Sequence, residues 1–298
     1  MSSIYEVKLN PFYVTVEKLS QIVKYKNTKS VFSKQMYGNH RLMCLVLYKE
    51  KLNLSWDRFI EHCNETHMYR QLGIKKMPVK STFIKFIQRT PKQLFEEFVH
   101  ACVKLLQLKN VTAAIDGTGF SNTNPSHYYQ KRIDGVVVKN YTKTVFLTDI
   151  NTKLILATQT FSDHTNETTV FKPMVKQLAS CLKTILADKG YDSMANRKYC
   201  WQNGINVHIP FRQFTQTRKE EAKKHTKRKA VEAQFDKTLY NKRALIESVN
   251  SAIKQTLGGF VRARTETNQQ KTVTIKALAY NIEHIGRLIR ITLWLEIQ

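Results

Sequence analysis

The sequence lacks the marks of several protein classes. Its five cysteines, Cys44, Cys63, Cys102, Cys181 and Cys200, are odd in number and widely spaced, with no Cys-x-x-Cys pair. That excludes a disulfide framework and a zinc ribbon, and a reducing, intracellular compartment is expected. No apolar run approaches the roughly 18 residues that a bilayer span needs. The nearest is the C-terminal segment, which Glu283, His284, Arg287 and Arg290 interrupt. The opening MSSIYEVKLNPFY has no basic-then-apolar signal pattern. Internal repeats and low-complexity tracts are missing too.

Acidic residues are also few. Lys and Arg number 48 against 23 Asp and Glu, a net charge of +25 on 298 residues. This exceeds what solubility requires and points to a polyanionic partner, nucleic acid first and an acidic membrane surface second. The basic residues are spread over the whole chain, so a folded basic surface is expected rather than a charged arm. Hydrophobic residues make up 42% of the chain, enough for a sizeable core in one large domain or two ordinary ones.

The first 30 residues are weakly patterned. Alternation in YEVKLNPFYVTV suggests a short strand or an extended arm. From Asn39 to about Thr90 the reading is helical. NHRLMCLVLYKEKL forms one helix, Ser55 caps a second and Ser81 a third. Thr90-Pro91-Lys92-Gln93 has the form of a capped helix start with proline at the first position. It opens the amphipathic LFEEFVHACVKLLQL. Short helices among scattered cations are compatible with a helix-turn-helix DNA reader and equally with an ordinary helical bundle.

At Asn110 the period changes. VTAAIDGTGF reads as an apolar strand running into Asp116 and a Gly-rich turn. NYTKTVFLTDI and TKLILATQTFS read as two strands joined by a tight turn at Asn151-Thr152. ETTVFKPMVKQLASCL is a helix containing Pro173. TILADKGYDS repeats the pattern of apolar strand, Asp188 and turn. SMANRKYCWQNG is a helix ended by Gly204, and INVHIPF is a short strand. The run QTRKEEAKKHTKRK reads as a solvated basic loop. An amphipathic helix closes the chain from about Lys271 to Ile297, serving either as a core element or as an interface. The order is that of an α/β fold with a mixed sheet flanked by helices.

Asp236 to Leu257 reads as one long amphipathic helix. Tyr240, Arg243, Glu247 and Lys254 fall within an arc of roughly 60°. Leu245, Ile246, Val249, Ala252, Ile253 and Leu257 lie on the opposite side. By itself this reads first as a surface helix with a solvated charged face. Its context gives it more meaning. Asp116 and Asp188 each follow an apolar strand, where α/β sheets build their sites. If the two strands are neighbours, the carboxylates converge, and a divalent cation is the usual compensation for their repulsion. Glu247 completes the set. Such hard oxygen ligands suit Mg²⁺ or Mn²⁺, and two such ions serve an in-line phosphoryl transfer. The other acids have plain structural readings: Asp149 in a hairpin turn, Asp192 as a cap or turn acid, Asp134 and Asp163 in polar segments. His164 and Tyr191 read as loop and packing residues.

Three blocks in order, IDGTGF at Asp116, ADKGYDS at Asp188 and Tyr240-x2-Arg243-x3-Glu247-x6-Lys254, resemble the DDE transposases of prokaryotic insertion sequences. The last spacing matches the Tyr-Arg-Glu-Lys signature of one large group. The resemblance covers about 110–257 and implies a ribonuclease H-like catalytic domain. The expected division is a helical N-terminal, DNA-binding region over 1–108 and a catalytic domain over 109–298, with basic loop 211–235 and the C-terminal helix. The resemblance further implies that Asp116, Asp188 and Glu247 bind two Mg²⁺ (or Mn²⁺) ions and catalyse. Tyr240, Arg243 and Lys254 would contact phosphate of the transposon end. The partners would be double-stranded DNA, both transposon ends and target, with a homodimer on DNA and no membrane. The setting would be cytoplasmic and nucleoid-associated. Two alternatives stay open: a metal-dependent nuclease of the same fold, and a non-catalytic DNA-binding protein derived from a transposase. The interval between Asp188 and Glu247 leaves no room for a large inserted β-domain.

Overall fold

The computed structural model describes residues 10–27, 36–122, 141–161, 167–211 and 235–295. Asp134, Asp163, His164 and nearly all of the basic loop lie outside these residues. The chain forms two compact units. One comprises Met1–Gln107, Phe120–Thr142 and Ile253–Gln298, the other Leu108–Gly119 and Lys143–Ala252.

The first unit is helical. Its helices are α1 (Pro11–Val23), α2 (Asn39–Lys51), α3 (Trp56–Thr66), α4 (Lys80–Arg89) and α5 (Lys92–Leu105). The strand or arm expected at the start is overturned from Pro11 onward. Asn10 accepts a hydrogen bond from the Phe12 amide at 3.0 Å, and Pro11 fills the first helical position. Phe12, Tyr13, Val16 and Leu19 then bury one helical stripe. Ser55 caps α3 as expected, accepting from the Arg58 amide. Two other expected caps are not formed. Val79 precedes α4, so Ser81 lies inside its first turn. Pro91 precedes α5, and the Thr90 hydroxyl instead donates back to the Phe86 carbonyl at 2.7 Å, closing α4.

The second unit is built on a five-stranded sheet. The strands are β1 (Val111–Ser121, its last two residues in the first unit), β2 (Tyr141–Asp149, its first two residues in the first unit), β3 (Ile155–Phe161), β4 (Leu182–Ala187) and β5 (Asn206–His208). Their spatial order is β3-β2-β1-β4-β5. β2 and β3 are antiparallel, whereas β4 runs parallel to both β1 and β5. This is the expected mixed sheet flanked by helices. Ala113, Ala114 and Ile115 of β1 and Ile185, Leu186 and Ala187 of β4 are all buried. Consecutive burial means that both faces of these parallel strands are covered. The β2–β3 turn is held by Asp149, whose carboxylate accepts from the amides of Asn151 and Thr152 at 3.2 and 3.1 Å.

Helix α6 (Glu167–Lys176) carries Pro173 in its interior. Helix α7 (Met194–Gln202) ends at Gly204, whose φ of +69° suits the left-handed stop predicted there. The stretch from Asp236 is not one helix. It is α8 (Lys237–Asn241), a 3₁₀ turn (Lys242–Ala244) and α9 (Leu245–Leu257). Ile246, Val249, Ile253 and Leu257 are buried as expected, but Leu245, at the junction, is 38% exposed.

The last helix, α10 (Glu266–Leu295), begins before the predicted Lys271. Its buried face, including Val273, Leu278, Ala279 and Ile282, packs against α1, α2 and α5. Core packing therefore accounts for that face. No helix among the described residues is long and apolar enough to cross a membrane. All five cysteines are free. Burial pushes the Cys44, Cys63, Cys102 and Cys200 thiols up to about 12, so they pack as small hydrophobes.

Buried charge fixes α10 in the first unit. Lys276 lies 3.2 Å from Glu50 and also donates to the Leu257 carbonyl, while Lys49 lies 2.7 Å from Glu50. Lys271 donates to the carbonyls of Ile87 and Gln88 at the end of α4. Burial works to raise the Glu50 pKa, but Lys49 and Lys276 outweigh it and hold the group below its ordinary value. Lys276→Met, which leaves Glu50 with Lys49 alone and the Leu257 carbonyl without its donor, is expected to cost about 1–3 kcal/mol in urea denaturation. The Glu50 contribution is complete above the ordinary carboxylate pKa and is lost as pH falls through the depressed folded value. Glu50→Gln should therefore remove part of the acid-side fall in wild-type stability.

Candidate active site

β1 and β4 are parallel neighbours in a register that sets Ile115 opposite Ala187. The next residues are Asp116 and Asp188. The two carboxylates thus leave adjacent strands, which lie about 4.8 Å apart, at the same level. Asp116 does not begin a turn. β1 continues through it to Ser121, while its pairing with β4 stops at Ile115. Asp188 keeps an extended backbone (φ −68°, ψ 161°) before a 3₁₀ turn, Lys189–Tyr191.

Side chains alternate along a strand, so Asp116 shares a sheet face with Ala114, and Asp188 with Leu186. Ala114 and Leu186 form one apolar cluster with Ile150 and Ile246, with Leu239 packed against it. Ile246 therefore holds α9 over the face onto which both aspartates open. Glu247 is the next residue of that helix.

Arg243 ties the acids together. Its guanidinium stands 3.6 Å from the Asp116 carboxylate and 3.3 Å from that of Glu247. Partial burial works to lower its pKa. Tyr240, Asp116 and Asp188 outweigh this and leave it raised. The Arg243 guanidinium is also 6.0 Å from the Tyr240 ring, which lies 5.2 Å from Phe235. Glu247 meets Arg243 from the open side, with its side chain 63% exposed. Among the described residues no three His, Cys, Asp or Glu side chains stand close enough to hold a metal ion. The Arg243 guanidinium links Asp116 to Glu247.

The structure thus brings Asp116, Asp188, Glu247, Tyr240 and Arg243 together within the second unit. Lys254 lies in the first unit. Its ammonium is 5.7 Å from the Phe120 ring, its stem packs beside Gly259, and burial lowers its pKa. One residue had not been anticipated. Asn250 lies one turn beyond Glu247 and donates from Nδ2 to Asp116 Oδ2 at 3.4 Å. Its place on the buried stripe of α9, between Val249 and Ile253, was the available signal.

Behind Asp188 the chain is anchored by charge. The Asp188 carbonyl accepts from the Tyr191 amide at 2.9 Å. Asp192 Oδ1 accepts from Arg197 Nε and Nη2 at 3.2 and 3.0 Å. Arg197 is fully buried, donates to the Ile209 carbonyl at 2.6 Å and stacks 4.3 Å from the Phe211 ring. Asp192 is therefore the counter-ion of a core arginine, and Ser193 takes the N-cap position of α7. Asp192→Asn keeps the shape but strands this cation. A loss of about 3–5 kcal/mol is expected in urea denaturation; a change within 0.5 kcal/mol would show that Ile209 and Phe211 suffice.

Comparison with curated proteins returns no match. Among solved structures, the chain resembles a piggyBac transposase synaptic complex with hairpin DNA at 14% identity and a TM-score of 0.47. That likeness covers 96% of this chain and 76% of the other. It also resembles a Mos1 transposase paired-end complex with left transposon end at 10% identity and a TM-score of 0.25, over 77% of this chain and 81% of the other. These likenesses are low, and the family assignment rests on sequence. The family model for the transposase DDE domain matches residues 108–282. That span contains Asp116, Asp188 and Glu247 and exceeds half of the chain, and the protein accordingly belongs to the transposase DDE domain family.

Proposed function

We propose that this transposase binds the terminal inverted repeats of a prokaryotic insertion sequence, cuts at the element ends and joins them to target DNA by Mg²⁺-dependent phosphoryl transfer. The observation that carries this reading is the pairing of Asp116 and Asp188 on adjacent parallel strands, with a cation lodged between Asp116 and Glu247. The Arg243 guanidinium is that cation. Asp116 and Glu247 both meet this positive charge, and the hard oxygens of the three acids suit Mg²⁺ or Mn²⁺. Asp116, Asp188 and Glu247 would hold two ions. When bound, these would activate the attacking oxygen and stabilise the leaving one.

The protein's own side chains do the rest. Asp116 and Asp188 are anchored to the sheet, so their spacing is set before any substrate arrives. Glu247 is the exposed, adjustable member. Tyr240, Arg243 and Lys254, spaced as in the Tyr-Arg-Glu-Lys group, would take phosphate oxygens of the transposon end. The planar guanidinium fork of Arg243 suits phosphate oxygens as well as it suits carboxylates. The surplus charge of +25 supports binding along a DNA duplex. The helices of residues 1–108 would contribute to end recognition. Joining two ends implies a homodimer on DNA, and the setting would be the nucleoid.

The acids are tested by Glu247→Gln. Mg²⁺-dependent cleavage of end DNA should fall to background while end binding, measured by mobility shift, stays largely intact. Cleavage equal to wild type would sink the assignment. Strand transfer of a pre-cut end into plasmid separates a transposase from a plain nuclease of the same fold. For the phosphate contacts, Lys254→Ala should weaken binding across sequences and reduce the salt slope of log K by about one; an unchanged slope would remove Lys254 from the interface.

A further inference from the structure

Asn250 is the polar residue of the site that the acid triad does not explain. It is 7% exposed and sits on the buried stripe of α9 between Val249 and Ile253. Asparagine is a poor helix former, and an apolar side chain would pack there at no polar cost. Nδ2 donates to Asp116 Oδ2 at 3.4 Å. Oδ1 is buried and has no hydrogen-bond partner among the described residues. A buried carbonyl oxygen without a donor is uncommon in folded proteins. Asp116 Oδ1 meanwhile faces Arg243 at 3.6 Å. The two oxygens of Asp116 are thus distinguished, one held by the amide and the other turned to the cation.

We propose that Asn250 is a positioning residue for Asp116 in metal binding. By holding Oδ2 it fixes the carboxylate rotamer and leaves Oδ1 for the ion. The proposal rests on the reading of Asp116 as a metal ligand. Groups that orient ligating carboxylates typically change metal affinity when removed.

The test is Mn²⁺ binding by calorimetry to the full chain without DNA, alongside thermal unfolding of the metal-free protein. Asn250→Leu should weaken Mn²⁺ binding by about 10- to 100-fold, while metal-free melting stays the same or rises, because a buried polar group has been replaced by an apolar one. A merely structural asparagine would do the reverse, with altered melting and unchanged affinity, and that result overturns the proposal. If Asn250→Leu does not fold, Asn250→Ser is measured instead. Weakened Mn²⁺ binding again supports the proposal, and wild-type affinity overturns it. Asp116→Asn separates the two levels of inference. If it binds Mn²⁺ as wild type does, or if wild type binds none, the metal reading itself fails and this proposal with it. If Asp116→Asn loses binding and the Asn250 variants do not, only the role of Asn250 is overturned.

Discussion

Parallel pairing of β1 with β4, in the register that sets Ile115 opposite Ala187, is the constraint on which the site depends. A slip of one residue would turn Asp116 or Asp188 to the opposite face, because side chains alternate along a strand. The register is held by the burial of both strands. Ala113, Ala114 and Ile115 meet Ile185, Leu186 and Ala187 in a core that has no room for a carboxylate. The acids can therefore stand only where that core ends. Ile246 adds the third component: in packing on Ala114 and Leu186 it carries Glu247 and Asn250 to the same face.

Charge in this protein is managed at two depths. Deep in the structure it is paired and desolvated. Arg197 with Asp192, and Glu50 with Lys49 and Lys276, anchor turns and helix ends where removal of one partner leaves a stranded ion. At the candidate site the same chemistry is left open. Arg243 serves Asp116 and Glu247 at once, at distances of 3.6 and 3.3 Å that a competing cation or phosphate could replace. The first arrangement contributes rigidity, and the second leaves the carboxylates and the guanidinium exchangeable. The division follows from solvent access at Glu247, whose side chain is 63% exposed, while Arg243 and Asp116 are part-buried at 20% and 22%.

Much of the sheet and the acids was legible in the sequence. Short apolar runs ending in aspartate are a strong signal, because burial on both faces demands them. Asp149 at its turn and Gly204 at its helix end were equally plain, since each sits where a single local geometry suits it. Other features escaped. Alternation in the first residues outweighed the Asn10-Pro11 start signal of α1. Ser81 and Thr90 carry capping chemistry but are not the residues at which their helices begin. The 3₁₀ turn at Lys242–Ala244 left no mark in the hydrophobic spacing. Asn250 interrupts an apolar stripe, and its partner stands 134 positions earlier in the chain, where no local pattern points to it.

The sequence by itself determined the ingredients: two strand-end aspartates, a helical stretch that spaces Tyr240, Arg243 and Glu247, and a strongly basic chain. These are local properties, written in hydrophobic period and composition. Only the tertiary structure decided that β1 and β4 are neighbours, that Arg243 bridges Asp116 and Glu247, and that Asn250 holds the remaining oxygen of Asp116. Apart from the Arg243–Glu247 pair, four positions apart, those are contacts between residues far apart in the chain. They exist because burying the apolar faces of the strands and of α9 in one core leaves a single arrangement for the polar groups at its edge.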